Sequence, residues 1–310
     1  MQPRFINLHQ PGAGVNVAAI LSTSGAAIKS LCVNGVELFA PTEGHDLNPF
    51  FDGIVLAPWA NRIDRGRWQH NGETLQLPVN ETALNNALHG LVATAVFDVA
   101  AKTNSSVTLE TRILPSTGFP FELLISVCYQ LTMDGIEVTH SASNLGAVPA
   151  PYVGGAHPYF QISGNDSRDL EFKTDAQTVY VVNDRMIAVD QVAVSSTNLN
   201  VGSWQKLSDC NLDHGFCDLL RDDQGRGHHY LRSPKRELLT IWQSAQMTHS
   251  FIFTPHEYFT NDDKNRRQAI AIEPQTGAAN AFNNQETLSW LQPGQTHAAS
   301  WGVKFAALAT

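Results

Sequence analysis

No stretch of this 310-residue chain approaches the roughly 18 uninterrupted apolar residues that a membrane-crossing helix requires. The opening MQPRFINLHQ has no apolar run behind its single arginine, so it does not read as a secretory leader, and the cytoplasm is the expected compartment. Cysteine is scarce. Cys32, Cys128, Cys210 and Cys217 are widely spaced and form no C-x-x-C, which argues against a disulfide framework and leaves reduced, mostly core thiols as the expectation. Positive charge is short as well: 20 Lys and Arg stand against 29 Asp and Glu, a net charge of -9. A nucleic-acid or anionic-membrane surface needs a basic stripe, so neither partner is expected, and a small uncharged molecule is.

Also missing are a G-x-S-x-G, an H-E-x-x-H, a phosphate-binding loop and a dinucleotide fingerprint. Twelve histidines invite a metal reading, yet no two have the i,i+2 or i,i+4 spacing that opens many metal sites. No metal is therefore expected. A 12-residue amphipathic pattern with a cap and a stop is absent, as are a fixed-period repeat and a Pro/Gly/Ser-rich linker, so helix should be scarce.

What is present is the punctuation of an all-β protein. Asn34-Gly35, Asn71-Gly72 and Asp134-Gly135 each separate short β-rich runs, for instance ISVCYQLTM from IEVTHSAS, and such dipeptides favour type I′ hairpin turns. Further alternating runs include SVTLETRIL, LLTIWQ, HSFIFTP and HAASWGVKFAAL. With 43% hydrophobic residues the chain can bury a large core. The simplest architecture is one large antiparallel β-sandwich domain over residues 1–310, with little helix.

Five short stretches carry chemistry. WANRIDRGRW (59–68) sets Arg62 ahead of a hairpin strand, where its guanidinium can meet ligand oxygens or simply face solvent. NALHGLV (86–92) places His89 before a glycine that permits close backbone approach, a binding group or a satisfied turn histidine. In GGAHPYF (154–160), Pro158 holds His157 extended and two glycines leave room beside it, as suits a proton donor, although a core histidine reads the same way. NLDHGF (211–216) supplies Asp213, an acceptor for ligand hydroxyls or a turn cap. AIAIEPQTGAANAFN (269–283) puts Glu273 at the end of an apolar strand that Pro274 terminates. Glutamate rarely occupies such a place unless paired or functional, and burial there raises its pKa and makes it a base. Trp59, Trp68, Trp242 and nearby Phe and Tyr residues are candidates to stack on a sugar face.

Taken in order, NRI, an N-G turn, LHG, G-G-x-HPYF, LDHGF, a strand ending in EP and LQPGQT resemble the aldose 1-epimerases (the galactose mutarotase family) over about residues 15–308. The resemblance implies a galactose-mutarotase-type β-sandwich, an aldose held in an open cleft and no cofactor; no sequence feature decides between a monomer and a homodimer. It also implies Glu273 as general base, His157 as general acid, and Arg62, His89 and Asp213 as sugar-binding residues, all in anomer interconversion by ring opening. HPYFQI stands where galactose-specific members have an HSYFNL-like stretch, and EPQTGAAN where they have E-x-Q-x-x-P-D, which points to a divergent bacterial-type branch and leaves the sugar open. Competing readings are a hexose-6-phosphate 1-epimerase using Arg62, Arg65 and Arg67, a non-catalytic carbohydrate-binding or sensor protein, and a glycosidase built on Glu273 and Asp213.

Overall fold

A computed structural model describes residues 2–12, 14–40, 50–258 and 267–307. Strands dominate it, and among these residues the one α-helix is the four-residue turn Ala281–Asn284. Among the described residues, every pairing between the strands named below is antiparallel, as the hairpin punctuation implies.

Two large sheets form the body. The first has nine strands in the order Asp98–Lys102, Ser106–Ile113, Leu123–Leu131, Gly135–Asn144, Thr296–Ala307, Glu237–Gln243, Gly227–Arg232, Glu171–Thr174 and Gln205–Lys206. The second runs Ala188–Ala193, Ala176–Val182, Asp213–Leu219, His249–Phe253, Ile270–Gln275, Gly155–Ala156 and Val55–Leu56, with Tyr159–Phe160 also pairing with Ile270–Gln275. A separate four-stranded sheet joins Phe5–Gly12, Val15–Ser22, Ile28–Val33 and Val36–Glu37.

Alternation in the sequence becomes sidedness in the fold. Leu123–Leu131 and Gly135–Asn144 bury every second residue, so Ile125, Val127, Ile136 and Val138 enter the main core from the nine-stranded sheet. Ile252, Ile270 and Ile272 enter the same core from the other sheet. Each such side chain contributes about 1.5–3 kcal/mol by leaving water. Ile270–Gln275 is different because all six residues are buried. Ile270 and Ile272 face the main core, and the alternate positions Ala271, Glu273 and Gln275 fall on the sheet's outer face beneath other chain segments.

Two of the three expected turns form as read: Asn34 and Gly35 have φ of 52° and 85°, Asn71 and Gly72 of 50° and 81°. The third does not. Neither Asp134 nor Gly135 enters the left-handed region, and Gly135 instead begins a strand where a Cβ would lie 1.9 Å from the Val303 carbonyl oxygen. That glycine serves close strand approach and not a type I′ turn. Among the described residues, no helix is long and apolar enough to cross a membrane.

Candidate active site

The outer face of the second sheet holds a cleft of about 140 Å³. Strand register builds its floor: Glu273 is opposite Phe251, and Asp213 is opposite Phe253 on the next strand pair. Glu273 is 1% exposed, and Gln275 Nε2 donates to its Oε2 at 3.1 Å.

His157 is carried in by the neighbouring chain. Gly155 pairs with Gln275 on one side and Leu56 on the other. A Cβ on Gly155 would sit 2.7 Å from the Pro274 carbonyl oxygen, and one on Gly154 would sit 2.0 Å from Tyr152 Oη. The two glycines therefore do not leave the open flank expected beside His157; their missing side chains are replaced by packed neighbours, and that close packing draws the histidine against Glu273. His157 Nε2 lies 3.2 Å from Glu273 Oε1. The imidazole stacks on the Tyr159 ring at 5.2 Å and meets His89 edge-on at 5.0 Å.

His89 reaches the cleft through a bent backbone. Its φ is 62°, its amide donates to the Asn61 carbonyl at 3.0 Å, and a Cβ on Gly90 would lie 2.0 Å from the Ala57 carbonyl oxygen. Close approach at this glycine is as the sequence implies. Arg62 stands beside it because Arg62 pairs with Leu88. Its Nε and Nη2 donate to the Glu81 carboxylate at 2.9–3.1 Å, so the cation is oriented and largely neutralised. All five residues singled out in the sequence line the one cleft.

The sequence profile of the aldose 1-epimerases matches residues 10–304. The chain belongs to the aldose 1-epimerase family. Among its relatives in this family, it is 30% identical over 300 residues to the uncharacterized protein YihR of Escherichia coli K12, covering 95% of this chain and 94% of that one. It is 32% identical over 196 residues to human galactose mutarotase, an alignment covering 58% of this chain and 55% of that protein. In fold, it superposes on the GalM/aldose epimerase homologue from C. elegans with a TM-score of 0.85 at 18% identity, over 99% of this chain and 100% of the other.

Burial dominates the electrostatics of this epimerase-family cleft. It pushes Glu273 well above the carboxylate range, with Asp213 reinforcing the shift and the Gln275 hydrogen bond and Arg62 opposing it. It pulls His157 down to about 4. His89 falls well below its usual value, through burial first and then the positive potential of His157 and Arg62. Asp213 is raised by burial, Arg62 opposing and Glu81 reinforcing. Burial thus favours the uncharged form of both partners in the Glu273–His157 pair. Burial raises Glu273 as the sequence implies, but it also lowers His157 below an ordinary histidine's value.

Tyr159, in the GGAHPYF stretch, is one of the aromatic residues near the motifs that the sequence offered, and it lines the cleft with Phe50, Phe51, Phe251, Phe253 and the buried Asn61, which were not singled out. The signal was present for some: Asn61 adjoins Arg62, and Phe251 and Phe253 alternate in HSFIFTP. None of the named tryptophans lines the cleft. Trp59 and Trp68 are 1% exposed in the core, and Trp242 is 4% exposed beneath the Arg226 guanidinium, 3.9 Å from its ring. Their bulk is used for packing. Glu81 was missed because its role depends on a partner 19 residues away. His89, His157 and Glu273 also offer one ligand atom each within 4.8 Å of one another, a set of metal-ligating type that the i,i+2 and i,i+4 test could not detect because the three residues lie far apart in sequence.

Proposed function

We propose that the protein is an aldose 1-epimerase that interconverts the α and β anomers of a free, uncharged aldohexose. The observation that carries this reading is the 3.2 Å contact of His157 Nε2 with Glu273 Oε1, buried in a polar cleft of about 140 Å³. In the proposed cycle the pair shares one proton, and anomerisation requires one to be taken and one to be given.

When a sugar binds, its C1 hydroxyl donates to Glu273 and stabilises the carboxylate, so the shared proton moves to His157 Nε2. Glu273 then takes the C1 hydroxyl proton while His157 delivers its proton to the ring oxygen. The C1–O5 bond breaks and the open aldehyde forms. Glu273 is left protonated and His157 neutral, the same state that burial favours in the empty cleft. Rotation about C1–C2 presents the other carbonyl face, and reclosure runs the transfers backwards. Each positioned proton transfer is worth roughly 10²- to 10⁴-fold in rate. Arg62, His89 and Asp213 bind and orient the sugar hydroxyls, and the aromatic walls take its apolar edges.

The preference for an uncharged sugar rests on charge. Arg62 is the cation lining the cleft, and Glu81 already occupies it. Arg65 and Arg67 are exposed outside the lining, with Arg67 Nε donating to Gln76 Oε1 at 3.1 Å. Among the described residues lining the cleft, a phosphorylated sugar would meet no free guanidinium fork. Comparing anomer exchange of glucose and glucose 6-phosphate by magnetisation-transfer NMR tests the reading. Faster exchange of glucose is the expected result, and acceleration of the phosphate ester alone would overturn it.

A further inference from the structure

We infer that His89, His157 and Glu273 form a capture site for a borderline-soft divalent cation such as Zn²⁺, and that the bound ion blocks the cleft. The three residues arrive from separate segments, His89 after the strand Asn86–Leu88, His157 after Gly155–Ala156, and Glu273 within Ile270–Gln275. Their ligand atoms nonetheless lie within 4.8 Å of one another.

Around one Zn²⁺, with nitrogen and oxygen at about 2.1 Å, neighbouring ligand atoms stand roughly 3.4 Å apart. His157 Nε2 and Glu273 Oε1 are already at 3.2 Å, so a shift of up to about 1.4 Å in the His89 ring, from 4.8 Å to that spacing, completes the set. Two imidazoles and one carboxylate with an open fourth position match a ligand set that Zn²⁺ adopts elsewhere. Mg²⁺ and Ca²⁺ require more oxygen ligands and do not fit. Charge favours entry too, because Asp213 lines the same cleft and Arg62 is held by Glu81.

The surroundings also set the strength. Metal-binding histidines normally direct their second nitrogen to an acceptor, which orients the ring. Here Nδ1 of both His89 and His157 is buried without such a partner among the described residues. Capture is therefore weak and exchangeable, as befits an inhibitory ion and not a resident one. The ion occupies both groups that the proposed proton transfers use, so its competition with sugar rests on the proposed function. Its binding does not.

The test is a Co²⁺ titration of the full chain followed by visible absorption, with Zn²⁺, Mg²⁺ and Ca²⁺ as competitors. One Co²⁺ per chain is expected, giving d–d bands without a sulfur-to-metal charge-transfer band. Zn²⁺ should displace it and the hard cations should not. His89→Gln and Glu273→Gln, checked for folding by circular dichroism, should each weaken binding beyond the roughly 10- to 100-fold typical for loss of a supporting group. His228→Gln, which alters a surface histidine paired with Asp222, should leave binding unchanged. Absence of the bands, their persistence in both cleft variants, or displacement by Mg²⁺ would overturn the site. Zn²⁺ that binds there without slowing anomerisation would overturn the block. A protein that accelerates no anomerisation contradicts the proposed function and leaves the titration to decide the metal site alone.

Discussion

Two buried histidines, His229 and His157, are alike in every bulk property and opposite in their bonding. His229 is 0% exposed and His157 4%, and burial holds each at a pKa of about 4. Both ring nitrogens of His229 are satisfied: Thr174 Oγ1 meets Nδ1 at 2.8 Å, and Ser250 Oγ and Gln243 Oε1 meet Nε2 at 2.9 and 3.2 Å. His157 has its Nδ1 without a partner, its Nε2 against one carboxylate, and a cleft in front of it. Burial and a depressed pKa are therefore common to a structural histidine and to the one proposed as general acid. Unspent hydrogen-bonding capacity beside open volume separates them.

The largest effects should come from dismantling the reactive pair. Glu273→Gln, and separately His157→Gln, should lower kcat by about 10²- to 10⁴-fold in a polarimetric assay while equilibrium sugar binding persists. Near-full turnover in either variant would remove that residue from its proposed role.

His229→Ala should do the reverse. It leaves a cavity and removes one partner from each of Thr174, Ser250 and Gln243, which keep their bonds to the Ala176 amide, to one another and to the Met247 and His249 carbonyls; a lost partner at a buried polar group costs about 1–3 kcal/mol. Denaturant unfolding should show a loss of about 3 kcal/mol or more, with kcat of the folded fraction unchanged.

pH sharpens the same contrast. Because His157 takes up a second proton for the pair only near pH 4, activity should hold down to that region, well below an ordinary histidine's 6.5, and fall beneath it. Above the raised pKa of Glu273 the pair loses its one proton and activity falls again. Stability follows a separate rule. The unfolded chain binds protons to His140, His157 and His229 from pH 6.5 downward while the fold holds each near 4, so stability falls as pH drops through that window. Each contributes up to about 3 kcal/mol of loss. Thermal melts between pH 7 and 4.5 should decline even where turnover is still flat.

The smallest effect is expected at Glu81. Glu81→Gln keeps a hydrogen-bond acceptor for Arg62 but removes its counter-charge, and should raise KM about 3- to 10-fold with little change in kcat, as for loss of roughly one kcal/mol of orientation. An unchanged KM would mean that Arg62 needs no orienting partner.

The sequence made the sandwich legible because its long strands alternate cleanly, as Leu123–Leu131 and Gly135–Asn144 do, and because Asn-Gly turns have few conformational options. It was silent where short strands owe their existence to neighbours. Gly155–Ala156 is two residues long and exists through pairing with Gln275 and Leu56, so GGAHPYF displayed a histidine and not the strand delivering it. Glu273 could be found because a carboxylate in an apolar run contradicts its local pattern. Its contact with His157 could not, since 116 residues separate them and only the folded sheet brings them to 3.2 Å. Trp59 and Trp68 misled for a related reason: tryptophan suits a core and a sugar face equally, and composition does not distinguish them.

The most direct test of the account is polarimetry on freshly dissolved α-D-glucose and α-D-galactose, with wild type, His157→Gln and His229→Ala measured under conditions where all three are folded. The account predicts that wild type and His229→Ala both speed the approach to anomeric equilibrium for at least one of the sugars, and that His157→Gln leaves it close to the spontaneous rate. Equal acceleration by His157→Gln, or loss of acceleration in folded His229→Ala alone, would contradict it.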